Sequence, residues 1–187
     1  MELNSSTKQI EDIDKIISNQ LTLLSNMAEN LHFMEVCQFE LTTNTNAVCN
    51  QDHFYPGIYF FEIQNANKSL DAATWFNDFT ALWRHPDYHM RWVPGIKKMR
   101  VTAHKEVGDW IPLYIGKSKN VGARINEHII KELAKTTFAM KLKARTNLYG
   151  ANFRVKALKM DVANYNVVVP HLENLLRNKW NPIVGKQ

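Results

Sequence analysis

The segments of this chain that read as regular structure are short, differ in period and follow no regular order, and this restricts its fold more than any other feature. GIYFFEIQ (57–64), entered through Pro56, reads as a buried strand, and WIPLYIG (110–116) as another. NFRVKALKM (152–160) alternates apolar and polar residues as a half-buried strand does, and MEVCQFEL (34–41) alternates in the same way. KMRVTAHK (98–105) is a further candidate strand. Helical patterns lie between and around these strands. Residues 6–31 place Ile10, Ile13, Ile17, Leu21, Leu24, Met27 and Leu31 at three- and four-residue steps behind a Ser6/Gln9 capping box, which predicts an amphipathic helix packed on the domain. Asp71 caps a helix bearing Trp75, Phe79 and Leu82 that stops before Pro86. Asn120 caps another that runs to the neighbourhood of Lys135, and Pro170 marks the first turn of the last. Strands and helices mixed without alternation predict an α+β fold and not a doubly wound sheet.

Length and charge narrow the partners. A chain of 187 residues, 45% apolar and 22% charged, suits one globular domain with a buried core. It contains no apolar run of membrane-spanning length, and its first residues, MELNSSTKQIEDIDK, are polar, so the expectation is a cytoplasmic protein without a membrane partner. Cys37 and Cys49 stand outside any CxxC spacing, which predicts reduced thiols and no zinc site. The net charge of +5 is unevenly distributed: residues 84–100 and 131–145 are basic, while acids gather in the first forty residues. Clustered cations attract phosphate backbones; the alternative for either run is a solvated face.

LYIGKSKNVGARINEH (113–128) places a tyrosine, a glycine turn, Arg124 and His128 in succession, with the last two four residues apart on one helix face. GIY at 57–59, YIG at 114–116, Arg124 and Glu173 on the last helix occur in the order of the GIY-YIG nuclease superfamily, which the chain resembles over residues 57–64 and 110–185. The Arg124/His128 spacing resembles its restriction-endonuclease branch. The resemblance implies a small antiparallel three-stranded sheet flanked by helices, and hydrolysis of phosphodiester bonds in double-stranded DNA with Mg²⁺ or Mn²⁺. It implies that Tyr59 is the base or its relay, that Tyr114 orients water or phosphate, and that Arg124 grips phosphate through its planar fork. His128 would contact phosphate or assist proton transfer, Glu173 would bind the metal, and Lys117 would touch phosphate. Taken singly, each residue has a plainer reading: core packing for the tyrosines, a pair with Glu127 or Glu132 for Arg124, a pair with Arg177 for Glu173, an exposed helix face for His128. One departure is Gly185, which stands where the family commonly has an asparagine, with Asn178 and Asn181 nearby. That departure keeps a second function open, a nucleic-acid-binding protein that retains the nuclease fold with impaired catalysis.

Residues 1–56 lie outside the resemblance and read as an N-terminal helical extension; residues 65–109 read as an insertion between the two motifs of a single domain. The insertion concentrates Trp75, Trp83, Trp92, Arg84, Arg91, Lys97, Lys98 and Arg100. Long connections inside small domains commonly carry function, so these cations are expected to contact DNA, while Trp75 and Trp83 are expected to pack a helix on the sheet. Cutting both strands further implies a homodimer or paired binding.

Overall fold

A computed structural model of the chain describes residues 5–66, 68, 70–88 and 90–185. In chain order the elements are α1 (Ser5–Ala28), β1 (Met34–Glu40), β2 (Gly57–Gln64), α2 (Ala72–Trp83), β3 (Gly95–Ile96), α3 (Lys98–Val101), β4 (Trp110–Ser118), α4 (Val121–Ile130), β5 (Asn152–Lys159), α5 (Tyr165–Trp180) and β6 (Val184–Gly185). The chain is α+β. Its main sheet is antiparallel with strand order β1-β5-β2-β4, so β4 is an edge strand and β2 lies inside.

β2 is buried from Gly57 to Ile63 because both faces of the sheet are covered. On one face Tyr59, Phe61, Tyr114, Phe153 and Val155 pack with Ile125 and Ile129 of α4 and with the aromatic side of α2, formed by Trp75, Phe76, Phe79 and Trp83. On the other, Ile58, Phe60 and Ile115 meet Val169, Leu172 and Leu176 of α5. The two cores are separate, and the strands run between them.

Several expectations hold in detail. The Asp71 carboxylate accepts from the Thr74 amide at the head of α2, and the Asn120 side chain accepts from the Ala123 amide at the head of α4. Trp75 and Trp83 are buried, and both cysteines are free thiols pushed up, by burial first, to about 11 for Cys37 and about 12 for Cys49.

Others are corrected. The sheet has four strands, not three, because Met34–Glu40 pairs antiparallel with β5, and residues 1–56 are therefore not wholly a helical extension. The 98–105 segment forms the short helix α3, closed by the Arg100, Val101 and Thr102 amides bonding back to the carbonyls of Lys97 and Lys98. α4 ends at Ile130, short of Lys135. α5 begins five residues ahead of Pro170, which sits inside the helix and not in its first turn. The 131–145 run is not a basic surface throughout. Lys141 and Arg145 are fully buried: the Lys141 ammonium donates to the carbonyls of Leu133 and Lys135, and Arg145 donates to those of Met140, Trp83 and Tyr88 while its guanidinium lies 4.0 Å from the centre of the Trp83 ring.

α1 also departs from expectation. Residues 5–20 are exposed throughout, and only the C-terminal turns, with Leu21, Leu24 and Ala28, rest on the body. There Ser25 hydrogen-bonds His171 and Lys179 reaches the Glu29 carbonyl. A second small sheet pairs β3 of the 65–109 segment with β6 behind α5. Among the described residues no helix is long and apolar enough to cross a membrane.

Candidate active site

Antiparallel pairing of β2 and β4 brings the two tyrosine motifs together. Gly116 lies opposite Tyr59, and Tyr114 lies opposite Phe61, so the two phenols share one face with a diagonal offset. Their rings stack, 6.1 Å apart and 21° from parallel. Both motif glycines are demanded by space. A Cβ on Gly116 would stand 2.7 Å from Tyr59 Cζ and 2.9 Å from Tyr114 Cε1; one on Gly57 would press on the Leu158 carbonyl of β5, 3.1 Å from its carbon. The small residues let one strand accept a phenol ring and the other accept its neighbour's backbone.

α4 supplies the next two groups. His128 is 0% exposed, which overturns the reading of a solvated helix face. Its Nδ1 accepts the Met140 amide at 3.1 Å, and its Nε2 lies 2.9 Å from the Tyr59 hydroxyl. A backbone amide can only donate, so the ring hydrogen belongs on Nε2, from where it is given to the Tyr59 oxygen. Burial, with the Arg124 charge nearby, holds the imidazole well below its ordinary range and keeps it neutral. Arg124, one turn earlier, sets its charge beside the Tyr59 hydroxyl, and its fork is braced by the Glu127 carboxylate and the Phe138 carbonyl. The Glu127 pair anticipated from sequence thus exists and orients the arginine.

The Tyr59 hydroxyl hydrogen-bonds His128, with the Arg124 charge and the stacked Tyr114 ring alongside. Burial pushes Tyr59 well above the usual phenol range, and the Tyr114 oxygen beside it adds to this; Arg124 opposes both. Tyr114 is raised too, again by burial first, with Arg124 lowering it and Glu173 raising it. Both are neutral phenols at neutral pH, and an anion formed on Tyr59 would be met by the His128 N–H and the Arg124 charge.

α5 approaches from the opposite core. Glu173 is buried, hydrogen-bonded by Lys117 of β4 at 2.5 Å and ion-paired with Arg177, its i+4 neighbour, at 3.8 Å. Because β4 is an edge strand, groups from both faces converge around it: Tyr59, Tyr114 and Arg124 from one side, Lys117, Glu173 and Arg177 from the other, in a cavity of about 260 Å³. Of the predicted catalytic residues, all but the fully enclosed His128 line it. A cleft of about 800 Å³ shares its Phe138 wall and is bordered by Arg84, Tyr88, Arg91 and Trp92, with Arg91 stacked on Trp92 at 5.0 Å.

The remaining expected DNA contacts divide. Lys98 is exposed, whereas Lys97 is half-buried beside Gly185 and Arg177, and Arg100 donates to the Arg177 carbonyl. Desolvation, then the charge of Arg177, lowers both Lys97 and Arg100. A Cβ on Gly185 would be 3.4 Å from Lys97 Cε and 3.9 Å from Arg177 Nη2, so cations border the place of the missing asparagine. Asn181 caps α5 in a left-handed conformation, and neither it nor Asn178 lines the cavity. Sequence reasoning missed three parts: Arg177 as a wall of the site, the Phe138 carbonyl and the Met140 amide. Only Arg177 had a signal, its i+4 relation to Glu173.

Among the described residues there is no group of three or more His, Cys, Asp and Glu side chains placed to cage a metal. The one carboxylate lining the cavity, Glu173, fits a hard, water-retaining cation such as Mg²⁺, which takes one or two carboxylates and fills its shell with water and phosphate oxygen; it does not fit a zinc cage. Comparison with protein-family models, with curated proteins and with solved structures finds no match to this chain.

Acid should destabilise the protein through His128. Its folded pKa is depressed, so below the unfolded value near 6.5 the unfolded chain gains a proton that the folded chain refuses, and stability falls by about 1.4 kcal/mol per pH unit until the folded pKa is reached. Thermal unfolding followed from pH 7.5 to 5 should show this loss, and His128→Gln, which keeps an N–H for Tyr59, should flatten it. A slope identical in both proteins would assign the acid sensitivity elsewhere.

Proposed function

We propose that this chain is a GIY-YIG-type endonuclease that hydrolyses phosphodiester bonds of double-stranded DNA with Mg²⁺ or Mn²⁺, in the manner of a restriction enzyme. On this reading β2, β4 and β5 correspond to the family's three-stranded sheet and β1 is an addition. The observation that supports it is the convergence of Tyr59, Tyr114, Arg124 and Glu173, remote in sequence, on one cavity around β4, with both motif glycines required sterically.

The chemistry follows from the groups. Arg124, braced from two sides, presents its remaining donor capacity to a phosphate oxygen and stabilises charge that grows as the phosphorus becomes five-coordinate. Tyr59, in its phenolate form, would take the proton of the attacking water and return to the neutral phenol while Tyr114 orients that water, the leaving oxygen drawing its proton from solvent; the His128 N–H on the Tyr59 oxygen and the Arg124 charge beside it favour the anion. His128 is a positioning residue on this reading, since its basic nitrogen is occupied by the Met140 amide. Lys117 and Arg177 hold Glu173 and offer further positive charge to the phosphate. When bound at Glu173, a divalent cation supplies Lewis acidity and lowers the pKa of nearby water and phenol. The adjoining cleft, with Arg84, Arg91 and Trp92, suits the strand flanking the cut.

The direct test is supercoiled plasmid incubated with the protein and Mg²⁺, or with EDTA: nicked and linear products should appear only with the metal. The second reading, a DNA-binding protein with impaired catalysis, is favoured by Gly185 and predicts binding without products in either condition. On both readings, replacing the exposed Arg91 and Lys98 together with Lys97 and Arg100 by alanine should weaken DNA binding severalfold and flatten its dependence on salt, because fewer counterions are released. Affinity and salt slope equal to the parent's would place the DNA on another surface.

A further inference from the structure

α1 carries a feature that its own fold leaves unused. Ile10, Ile17 and Leu24 recur at steps of seven, as do Ile13, Gln20 and Met27, and Ile16 and Leu23 complete a third row. A strict seven-residue period is the pattern of a helix that winds around another helix, since a lone helix packed on a domain drifts from it. Yet Ile10, Ile13, Ile16, Ile17, Leu23 and Met27 are 46–66% exposed, and only the Leu21, Leu24 and Ala28 side meets α5. The exposed part, residues 5–20, includes four isoleucines along with aspartate, asparagine and serines, a composition whose propensity alone holds a helix poorly in water.

We infer that α1 pairs with α1 of a second copy of this chain. Three observations choose that occupant. The three rows contain no charged residue, so two copies bring no like charges together along the seam, and their polar members within α1 are the neutral Ser6, Gln9 and Gln20. A second copy supplies a helix of the same period. At ~100 Å² of accessible area per large aliphatic side chain, the six residues give about 600 Å² per copy and about 1,200 Å² per pair, the lower limit of a standard interface. The polar face argues against a lipid surface, because Glu11, Asp12 and Asp14 outnumber Lys8 and Lys15, whereas helices that lie on anionic membranes are basic there. The inference does not depend on catalysis. Its consequence is that α5, on which α1 rests, is tied to the partner protein as well as to the sheet.

The test is the mass of the full-length protein by sedimentation equilibrium from 1 to 100 µM, beside an Ile13→Lys/Ile17→Lys variant and an Ile16→Lys/Leu23→Lys variant. All four positions are solvent-exposed within the chain, so the body of the protein should unfold at its usual temperature. Expected is a parent of twice the chain mass in the micromolar range and both variants at the monomer mass. A monomeric parent at 100 µM, variants that remain dimeric, or a monomeric parent that floats with anionic vesicles would each overturn it.

Discussion

Glu173→Ala is expected to lose Mg²⁺-dependent DNA cleavage by about a hundredfold or more, as is Arg124→Ala, while both proteins keep their fold. Glu173 is the carboxylate of the cavity, and Arg124 is the guanidinium held by Glu127 and Phe138 beside Tyr59. On the proposed function, removing the first takes away the ligand for a hard cation, and removing the second takes away charge aimed at the transition state. Tyr59→Phe should fall with them, since it removes the hydroxyl that bonds His128 and that Arg124 and Tyr114 flank. His128→Ala should slow cutting less, because the imidazole acts only through Tyr59. Single-turnover cleavage of a labelled duplex, with circular dichroism to verify folding, reads all four. A fully active Glu173→Ala protein would end the metal assignment.

Gly116→Ala tests the architecture where the first series tests the chemistry. The added methyl would meet the rings of both tyrosines within 3 Å, against side chains that are themselves packed. Overpacking of this kind costs about 1–3 kcal/mol of stability, and the displaced phenols should lower cleavage to the level of the Tyr59→Phe protein. Gly108→Ala is the natural control, since its Cβ would find nothing nearer than 4.0 Å. Chemical denaturation and cleavage rates on both proteins make the comparison; a Gly116→Ala protein as stable and active as the parent would mean that the tight register at Tyr59 has no mechanical role.

What was legible in the sequence, and what was not, follows from the range of the interactions. Strands 57–64 and 110–118, and the caps Asp71 and Asn120, are written in local pattern, and they appear nearly at the residues expected. Tyr59, Tyr114, Arg124 and Glu173 could be singled out because their residue types and order form a pattern, and all four line one cavity. The plainer reading of His128, an exposed helix face, fails because helical spacing places it on a face without saying what covers that face; the cover is the loop at Met140, twelve residues on. Lys141 and Arg145 were misjudged for the same reason: charge reads as surface until loop carbonyls are seen to enclose it. The fourth strand pairs with a segment more than a hundred residues away, and no local signal reports such a partner. The exposed seam of α1 was visible as periodicity, but not its distance from the body.

Because the phenols and Arg124 grow from one hydrophobic core and Glu173 from the other, the site is a joint between two independently packed halves. Its critical spacing, carboxylate to phenol, is set by how deeply α5 settles on Ile58, Phe60 and Ile115, not by any group that touches a substrate. Drift in that second core, such as a smaller residue at Leu176, would retune the gap while leaving every reactive group in place. Natural variation in activity among chains built this way would then be sought first beneath the helix, in aliphatic residues without chemistry of their own.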